Sequence, residues 1–174
     1  MRAEQFLESV LIEFRSLKNV AEKAIHQVAD KNFFSAPDSE SNSIAVLMRH
    51  LAGNMRSRWT DFLTSDGEKP DRHRDSEFVT EGETRVEIIQ KWEAGWSCLF
   101  HAIEPLKPED LDKIVYVRGK AQAAYIAIFR QLTHYAIHVG QILYLAKHYA
   151  GAKWQTLSVP KGRSEEYKKQ MWGI

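Results

Sequence analysis

At 174 residues the chain has the length of a single domain, and 44% of its residues are hydrophobic against 27% that are charged. These proportions are typical of a globular protein. Its 24 Lys and Arg residues nearly balance 23 Asp and Glu residues, so the chain lacks the strongly basic character of a nucleic-acid-binding domain. The single cysteine, Cys98, excludes an intramolecular disulfide and a zinc site built from thiolates.

The sequence also argues against a membrane protein. Residues 1–8 contain acidic side chains where a signal peptide would be apolar. The most apolar region, residues 125–145, is interrupted by arginine, glutamine and histidine, so we do not expect it to span a bilayer. We therefore expect a cytoplasmic protein without a membrane partner.

The first half of the chain predicts two helices and a long connection. Apolar residues recur at helical spacing from about residue 3 to about residue 30 and indicate the first helix. Ser43 is the predicted N-cap of a second helix, which runs to about Ser65. A charged, irregular connection follows over residues 66–82. Its segment 66–77 favours a solvated crossover with internal ion pairs, although it could border a functional site.

The second half predicts two further helices. Thr84 is the predicted N-cap of the third helix, which ends before Pro105. Residues 113–119 indicate a short extended piece. The fourth helix runs from about Ala121 to about residue 149 and is closed by Gly151. From about residue 152 the sequence predicts a tail that folds over the helices.

Four long amphipathic helices with little strand signal predict an all-α fold, a four-helix bundle that forms one domain over residues 1–174. The second helix, about 22 residues long, would measure about 33 Å. A connector of about 17 residues can reach about 55 Å when it is extended. The helix 2–helix 3 crossover is therefore long enough to run the length of the bundle and to permit an up-down-down-up order.

Three histidines form the most distinctive pattern in the chain. His134 and His138 lie four residues apart in the fourth predicted helix, so their side chains stack on one helix face. If the helix that carries His50 packs beside them, three imidazoles can converge on one metal ion and leave a coordination position open. A lone pair of this kind more often belongs to a protein core or an interface. Asn54 and Gln141, each about one turn from a histidine, favour the metal site, because buried polar residues cost free energy unless they are used.

Three polar residues near the histidines have two interpretations each. Asn54 and Arg58 lie one and two turns beyond the first histidine on the same helix face, where they could orient the site or hold the carboxylate of a thiol cofactor. Arg58 could equally pair with Asp61 or Asp66 and fix the helix end. Gln141 could orient a ligand or form a hydrogen bond across the bundle.

Distinctive combinations of paired charges, aromatic residues and histidines occur in five segments, which are 54–70, 72–78, 92–96, 130–142 and 157–164. Together with His50 they resemble an uncharacterised branch of the DinB-like, or YfiT-like, superfamily of metal-dependent four-helix bundles. The resemblance covers most of the chain from about residue 40. It implies an up-down-down-up bundle that is usually a homodimer, and the 5 Trp, 6 Tyr and 8 Phe of the chain are compatible with an apolar pocket or an oligomer interface.

The resemblance also implies a site and an activity. The superfamily's three metal-binding histidines correspond to His50, His134 and His138, and the bound ion would be divalent, with zinc or nickel expected. Some relatives are similar to thiol S-transferases that add bacillithiol or mycothiol to electrophiles, and one is a maleylpyruvate isomerase. We therefore expect a metal-dependent transferase that uses a low-molecular-weight thiol.

The alternative is a non-catalytic metal-binding or stress-response bundle. An open coordination position favours the enzyme. The lack of an evident acid or base near the three histidines favours the alternative. The chain has no His-Glu-x-x-His motif, so it lacks the glutamate base of a zinc protease.

Overall fold

The described part of the chain, residues 3–173, is mainly helical in this computed structural model. Within it six α-helices and one two-stranded sheet form in the order α1 (Ala3–Ile25), α2 (Asp30–Phe33), α3 (Ile44–Trp59), α4 (Arg85–Ile103), β1 (Ile114–Val117), β2 (Lys120–Ala123), α5 (Ala124–Ala150) and α6 (Ser164–Trp172). Short 3₁₀ turns occur at Arg74–Phe78, Pro108–Asp110 and Gly151–Lys153. The predicted predominance of helix is confirmed.

Two predicted helix starts have the side-chain caps that the sequence indicates. The Ser43 hydroxyl oxygen accepts a hydrogen bond of 3.2 Å from the Val46 backbone N–H at the start of α3. Thr84 and Glu87 form a reciprocal capping box at the start of α4. Each cap satisfies a backbone amide that has no partner inside the helix. Gly151, with a φ of 54°, ends α5 as the sequence predicts.

Two helices end earlier than the sequence predicts. α1 ends at Ile25, where the Val28 backbone N–H bonds back to the Ile25 carbonyl and turns the chain toward α2. α3 ends at Trp59 because Thr60 adopts an extended ψ of 122°, and Asp61 follows with a left-handed φ of 50°. Aspartate tolerates this conformation better than most residues. The backbone amide of Ser65 then bonds to the Asp61 carbonyl and forms a compact turn.

A β-hairpin replaces the start of the predicted fourth helix. The extended piece 113–119 corresponds to β1, but the partner strand β2 was not predicted, and α5 begins at Ala124 rather than near residue 121. The turn residues Arg118 and Gly119 have φ values of 57° and 71°, as a two-residue type I′ hairpin turn requires.

The hairpin tip is held by the connection that follows α3. The Asp66 carboxylate accepts hydrogen bonds from the backbone N–H groups of Arg118, at 2.8 Å, and Gly119, at 2.7 Å. The Gly67 backbone N–H donates to the Tyr116 carbonyl at 2.8 Å. The hairpin therefore lies against the connector rather than projecting freely from the helices.

The long helices pack pairwise around an aromatic core. α3 packs against α4 and α1 against α5, while further contacts join α3 to α5 and α1 to α4. Phe14 lies at the centre, with its ring 6.2 Å from Trp59, 6.4 Å from Trp96 and 5.9 Å from Tyr135. Trp96 and Trp92 are both buried, so this tryptophan pair belongs to the core.

The first part of the segment after α5 folds back on the helices, as the sequence predicts for the whole tail, whereas α6 buries none of its residues. Trp154 and Leu157 pack against the core. Gln155 exchanges two hydrogen bonds with the Gln27 side chain, at 2.7 and 3.0 Å. Within residues 3–173, no helix combines the length and the apolar character that a bilayer crossing requires.

Candidate metal centre

The three histidines converge where α3 and α5 meet. His50 comes from α3, whereas His134 and His138 come from consecutive turns of α5. One ring nitrogen from each residue lies within 4.8 Å of the other two. The ring centroids are 5.5 Å apart for His50 and His134, 5.0 Å for His50 and His138, and 4.6 Å for His134 and His138. The structure thus brings together the residues that the sequence pattern singles out.

Two of the imidazoles are oriented by a side chain behind them. The Nδ1 atom of His50 lies 2.9 Å from Oε2 of Glu77, and Nδ1 of His138 lies 2.8 Å from Oε1 of Gln141. Because carboxylate and amide oxygens only accept hydrogen bonds, Nδ1 carries the proton in both rings. The Nε2 lone pairs of both rings are left free, which is the arrangement that ligating histidines adopt in metal sites.

The third imidazole, His134, has a buried nitrogen without a partner. Its Nε2 atom makes no hydrogen bond within residues 3–173. Burial, reinforced by the neighbouring His138 and His50 rings, lowers the pKa of His134 to about 4. Burial also lowers the pKa of His138, although its bond to Gln141 opposes this. Both rings are therefore neutral at pH 7, the form that binds metal, and the residues present fit a divalent ion.

The buried acid behind His50 is the main feature that sequence reasoning missed. Glu77 is 8% exposed and receives two hydrogen bonds from Arg72, at 2.7 and 2.9 Å, besides the one from His50. Burial alone would raise the pKa of Glu77, but the bonds from His50 and Arg72 outweigh burial and lower it. Glu77 is thus a carboxylate at neutral pH. The only sequence signal was the charge density of segment 66–77, which does border the site.

Two neighbours of Glu77 fit closely around it. A Cβ atom at Gly53 would lie 2.7 Å from the Glu77 Cδ atom, so a larger residue there would displace this carboxylate from its position beside α3. The Phe78 ring stacks on the His50 ring, with 5.0 Å between centroids and 28° between planes. The 3₁₀ turn Arg74–Phe78 therefore both orients His50 and covers it.

The other predicted site residues make specific contacts. Asn54 is buried, and its Oδ1 atom accepts a 3.1 Å bond from the Tyr135 hydroxyl, which in turn accepts a 2.9 Å bond from Trp59 Nε1. Gln141 contacts His138 rather than bonding across the helices.

Arg58 pairs with an acid that the sequence did not single out. It donates to the Gly67 carbonyl and forms a salt bridge of 3.1 Å with Glu68. Its acidic partner is thus Glu68 rather than Asp61 or Asp66. Arg58 therefore ties the end of α3 to the connector, and its role toward a substrate stays a prediction.

A cleft of about 510 Å³ opens beside two of the histidines and gives a small molecule access to them. His50 and His134 form part of its wall, together with Asn54, Arg58 and the hairpin residues 117–118 and 120–122. This volume lies in the range that small-molecule sites occupy.

Comparison with known proteins places the chain in an uncharacterised group. A family model described as a protein of unknown function, DUF1572, matches residues 1–163. No curated protein matches the chain.

Proposed function

The chain belongs to this family of unknown function, and we propose from its histidine site that it is a divalent-metal-binding protein of the DinB-like type. The observation that carries the proposal is the convergence of three imidazoles, two of them with their outer nitrogens bonded to Glu77 and Gln141. Imidazole ligands suit zinc and nickel better than magnesium or calcium, which prefer oxygen.

We also propose an up-down-down-up order for the four long helices. The connector between α3 and α4 spans residues 60–84, whereas α3 with its 16 residues is about 24 Å long. A connector of this length can return along α3 and leave α3 and α4 parallel, as the resemblance to the DinB-like bundles implies.

The proposed reaction is transfer of a low-molecular-weight thiol to an electrophile. A divalent ion with three histidine ligands keeps a coordination position open and stabilises an ionised thiol at neutral pH. In the transfer the thiol proton passes to solvent, a carbon–sulfur bond forms, and the leaving group departs from the electrophile. Glu77 and Gln141 hold the histidine rings in place, while Phe78 shields His50 from water.

A non-catalytic metal-binding or stress-response bundle is the second candidate. The observation that favours it is that two polar side chains beside the histidines, those of Glu77 and Asn54, are already engaged. Glu77 bonds to His50 and Arg72, and Asn54 bonds to Tyr135. Glu77 is therefore not free to act as a general base.

Conjugation of a model electrophile distinguishes the two candidates. We expect the metal-loaded protein to accelerate the reaction of a small thiol with monochlorobimane or a chlorinated dinitrobenzene. The acceleration should be lost on chelation and in His134→Ala, and kept in His148→Ala, which removes an exposed histidine from the same helix. If several thiols are conjugated only at the uncatalysed rate while the metal is fully bound, the transferase proposal is wrong. The non-catalytic metal-binding bundle is then the better supported function.

We further propose a homodimer formed through α5. An apolar stripe along its solvent side consists of Ile126, Phe129, Ile137 and Tyr144, with exposures of 44%, 60%, 59% and 75%. Exposed apolar stripes of this kind often mark protein contacts. Light scattering should give twice the chain mass of 20.1 kDa, and Phe129→Glu should shift the protein toward the mass of one chain. A single-chain mass for the wild type at micromolar concentration would exclude the dimer.

A further inference from the structure

The cleft beside His50 and His134 is lined by positive charge that metal binding does not explain. Its six cationic side chains come from α3, the connector, the hairpin and α5; they are Arg58, Arg72, Arg74, Arg118, Lys120 and Arg130. Among the described residues that line the cleft, none is acidic. Four separate parts of the chain thus direct cations into one volume of about 510 Å³.

Only part of this charge is neutralised, and only at the floor of the cleft. Glu68 lies behind the lining and forms ion pairs with Arg58 at 3.1 Å, Arg72 at 3.4 Å and Arg118 at 2.9 Å. Glu77 adds a second carboxylate to Arg72. Three arginines therefore share two acids, and the floor retains an excess of positive charge.

The three cations at the mouth have no acidic partner in the described part of the chain. Arg74, Lys120 and Arg130 are exposed, and none of their side chains forms an ion pair or hydrogen bond within residues 3–173. Like charges that the fold holds around one cavity repel each other and lower the stability of the compact state. A bound anion would attract all of these cations, so the same charges would then stabilise the compact state.

Two buried polar atoms in the lining have no partner among the residues that the structure describes. Gln131 and Arg58 are each 8% exposed, and both line the cleft. The Gln131 Oε1 atom and the Arg58 Nε atom make no hydrogen bond within the described chain. Unpartnered buried groups of this kind cost free energy. A ligand with one acceptor and one donor would satisfy both.

We infer that the cleft binds a small organic anion with at least two negative charges and places it next to the three histidines. This inference names the substrate class of the proposed function and relies on that function only for the reaction. Carboxylate and phosphate groups offer these cations the same charge and the same acceptor oxygens. In the proposed transfer, either the thiol or the electrophile would carry the charged groups.

Calorimetric titration of the full-length, metal-loaded protein tests the inference. The probes are succinate, glycerol 3-phosphate and the neutral diamide of succinate, each also titrated after chelation so that binding to the metal itself is separated. We expect at least one dianion to bind at least tenfold more tightly than the diamide, with an affinity that falls as salt is added. The two dianions together show whether carboxylate or phosphate is preferred.

Variants at the mouth of the cleft supply the matched comparison. Lys120→Gln and Arg130→Gln should each weaken dianion binding about threefold to tenfold. Lys153→Gln removes another exposed lysine, beyond the far end of α5, and should bind as the wild type does. These side chains are exposed, so the variants should keep the helical content of the wild type.

The inference fails if the diamide binds as tightly as both dianions, or if neither dianion binds. It also fails if the triple variant, which carries Arg74→Gln, Lys120→Gln and Arg130→Gln together, keeps the wild-type affinity. Its failure is separable from failure of the proposed function. Dianion binding without conjugation of any thiol would overturn the transferase alone. Metal loading and conjugation without dianion preference would overturn the anion site alone.

Discussion

His138→Ala is expected to remove most of the metal from a protein that otherwise purifies with about one divalent ion per chain. Two imidazoles bind a first-row ion far more weakly than three, and two ligands leave the ion exposed to exchange with solvent. His138 is only half-buried, and Gln141, to which it bonds, is exposed. Its truncation should therefore leave the fold intact.

Mass spectrometry of the metal content measures this effect. The matched control is His148→Ala, because it makes the same substitution at an exposed histidine of the same helix. Circular dichroism should show the wild-type helical content in both variants. Metal content that stays undiminished in His138→Ala would contradict the assignment of the three ligands.

Glu77→Ala is expected to lower the free energy of unfolding by about 3–5 kcal/mol. The Arg72 side chain is 5% exposed and bonds to Glu77 through two nitrogens, so truncation leaves a buried guanidinium with only its longer contact to Glu68, at 3.4 Å. The Nδ1–H group of His50 also loses its acceptor. Urea denaturation measures the change, and Glu77→Gln, which keeps an acceptor oxygen, should lose less stability.

A second variant moves the same carboxylate without removing it. A Cβ atom in Gly53→Ala would lie 2.7 Å from the Glu77 Cδ atom and would displace the carboxylate. We expect the metal affinity to fall about tenfold, as it does when the partner behind a ligating histidine is disturbed. Gly140→Ala is the control, since a Cβ atom there meets nothing within 4 Å. Wild-type metal affinity in both Gly53→Ala and Glu77→Ala would show that Glu77 does not position His50.

The features that the sequence predicted depend on local spacing. The helices follow from apolar periodicity, and the caps at Ser43 and Thr84 follow from residue types that bond to amides three residues away. The pairing of His134 with His138 follows from helical geometry alone. His50 required one further assumption, that its helix packs beside theirs, and α3 does contact α5.

The features that the sequence did not predict depend on contacts between distant residues. Glu77 lies 27 positions from His50 in an irregular segment, where no periodicity indicates which way a side chain points. The β2 sequence Lys-Ala-Gln-Ala favours helix by intrinsic propensity. It becomes a strand because the positive φ values at Arg118 and Gly119 return it along β1. The cationic cleft is lined by residues of the irregular connector and of the hairpin. Because neither segment has a periodicity that fixes its position, the cleft could not be predicted from the sequence.

The Asp66 carboxylate bonds to both turn amides of the hairpin, which has a consequence for local opening. The amide protons of Arg118 and Gly119 should exchange with deuterium together, and only when residues 66–68 detach from the hairpin. The hairpin and this part of the connector then form one cooperative unfolding unit. Because Glu68 belongs to the connector and Lys120 to the hairpin, the floor and one wall of the cleft open and close as a single body.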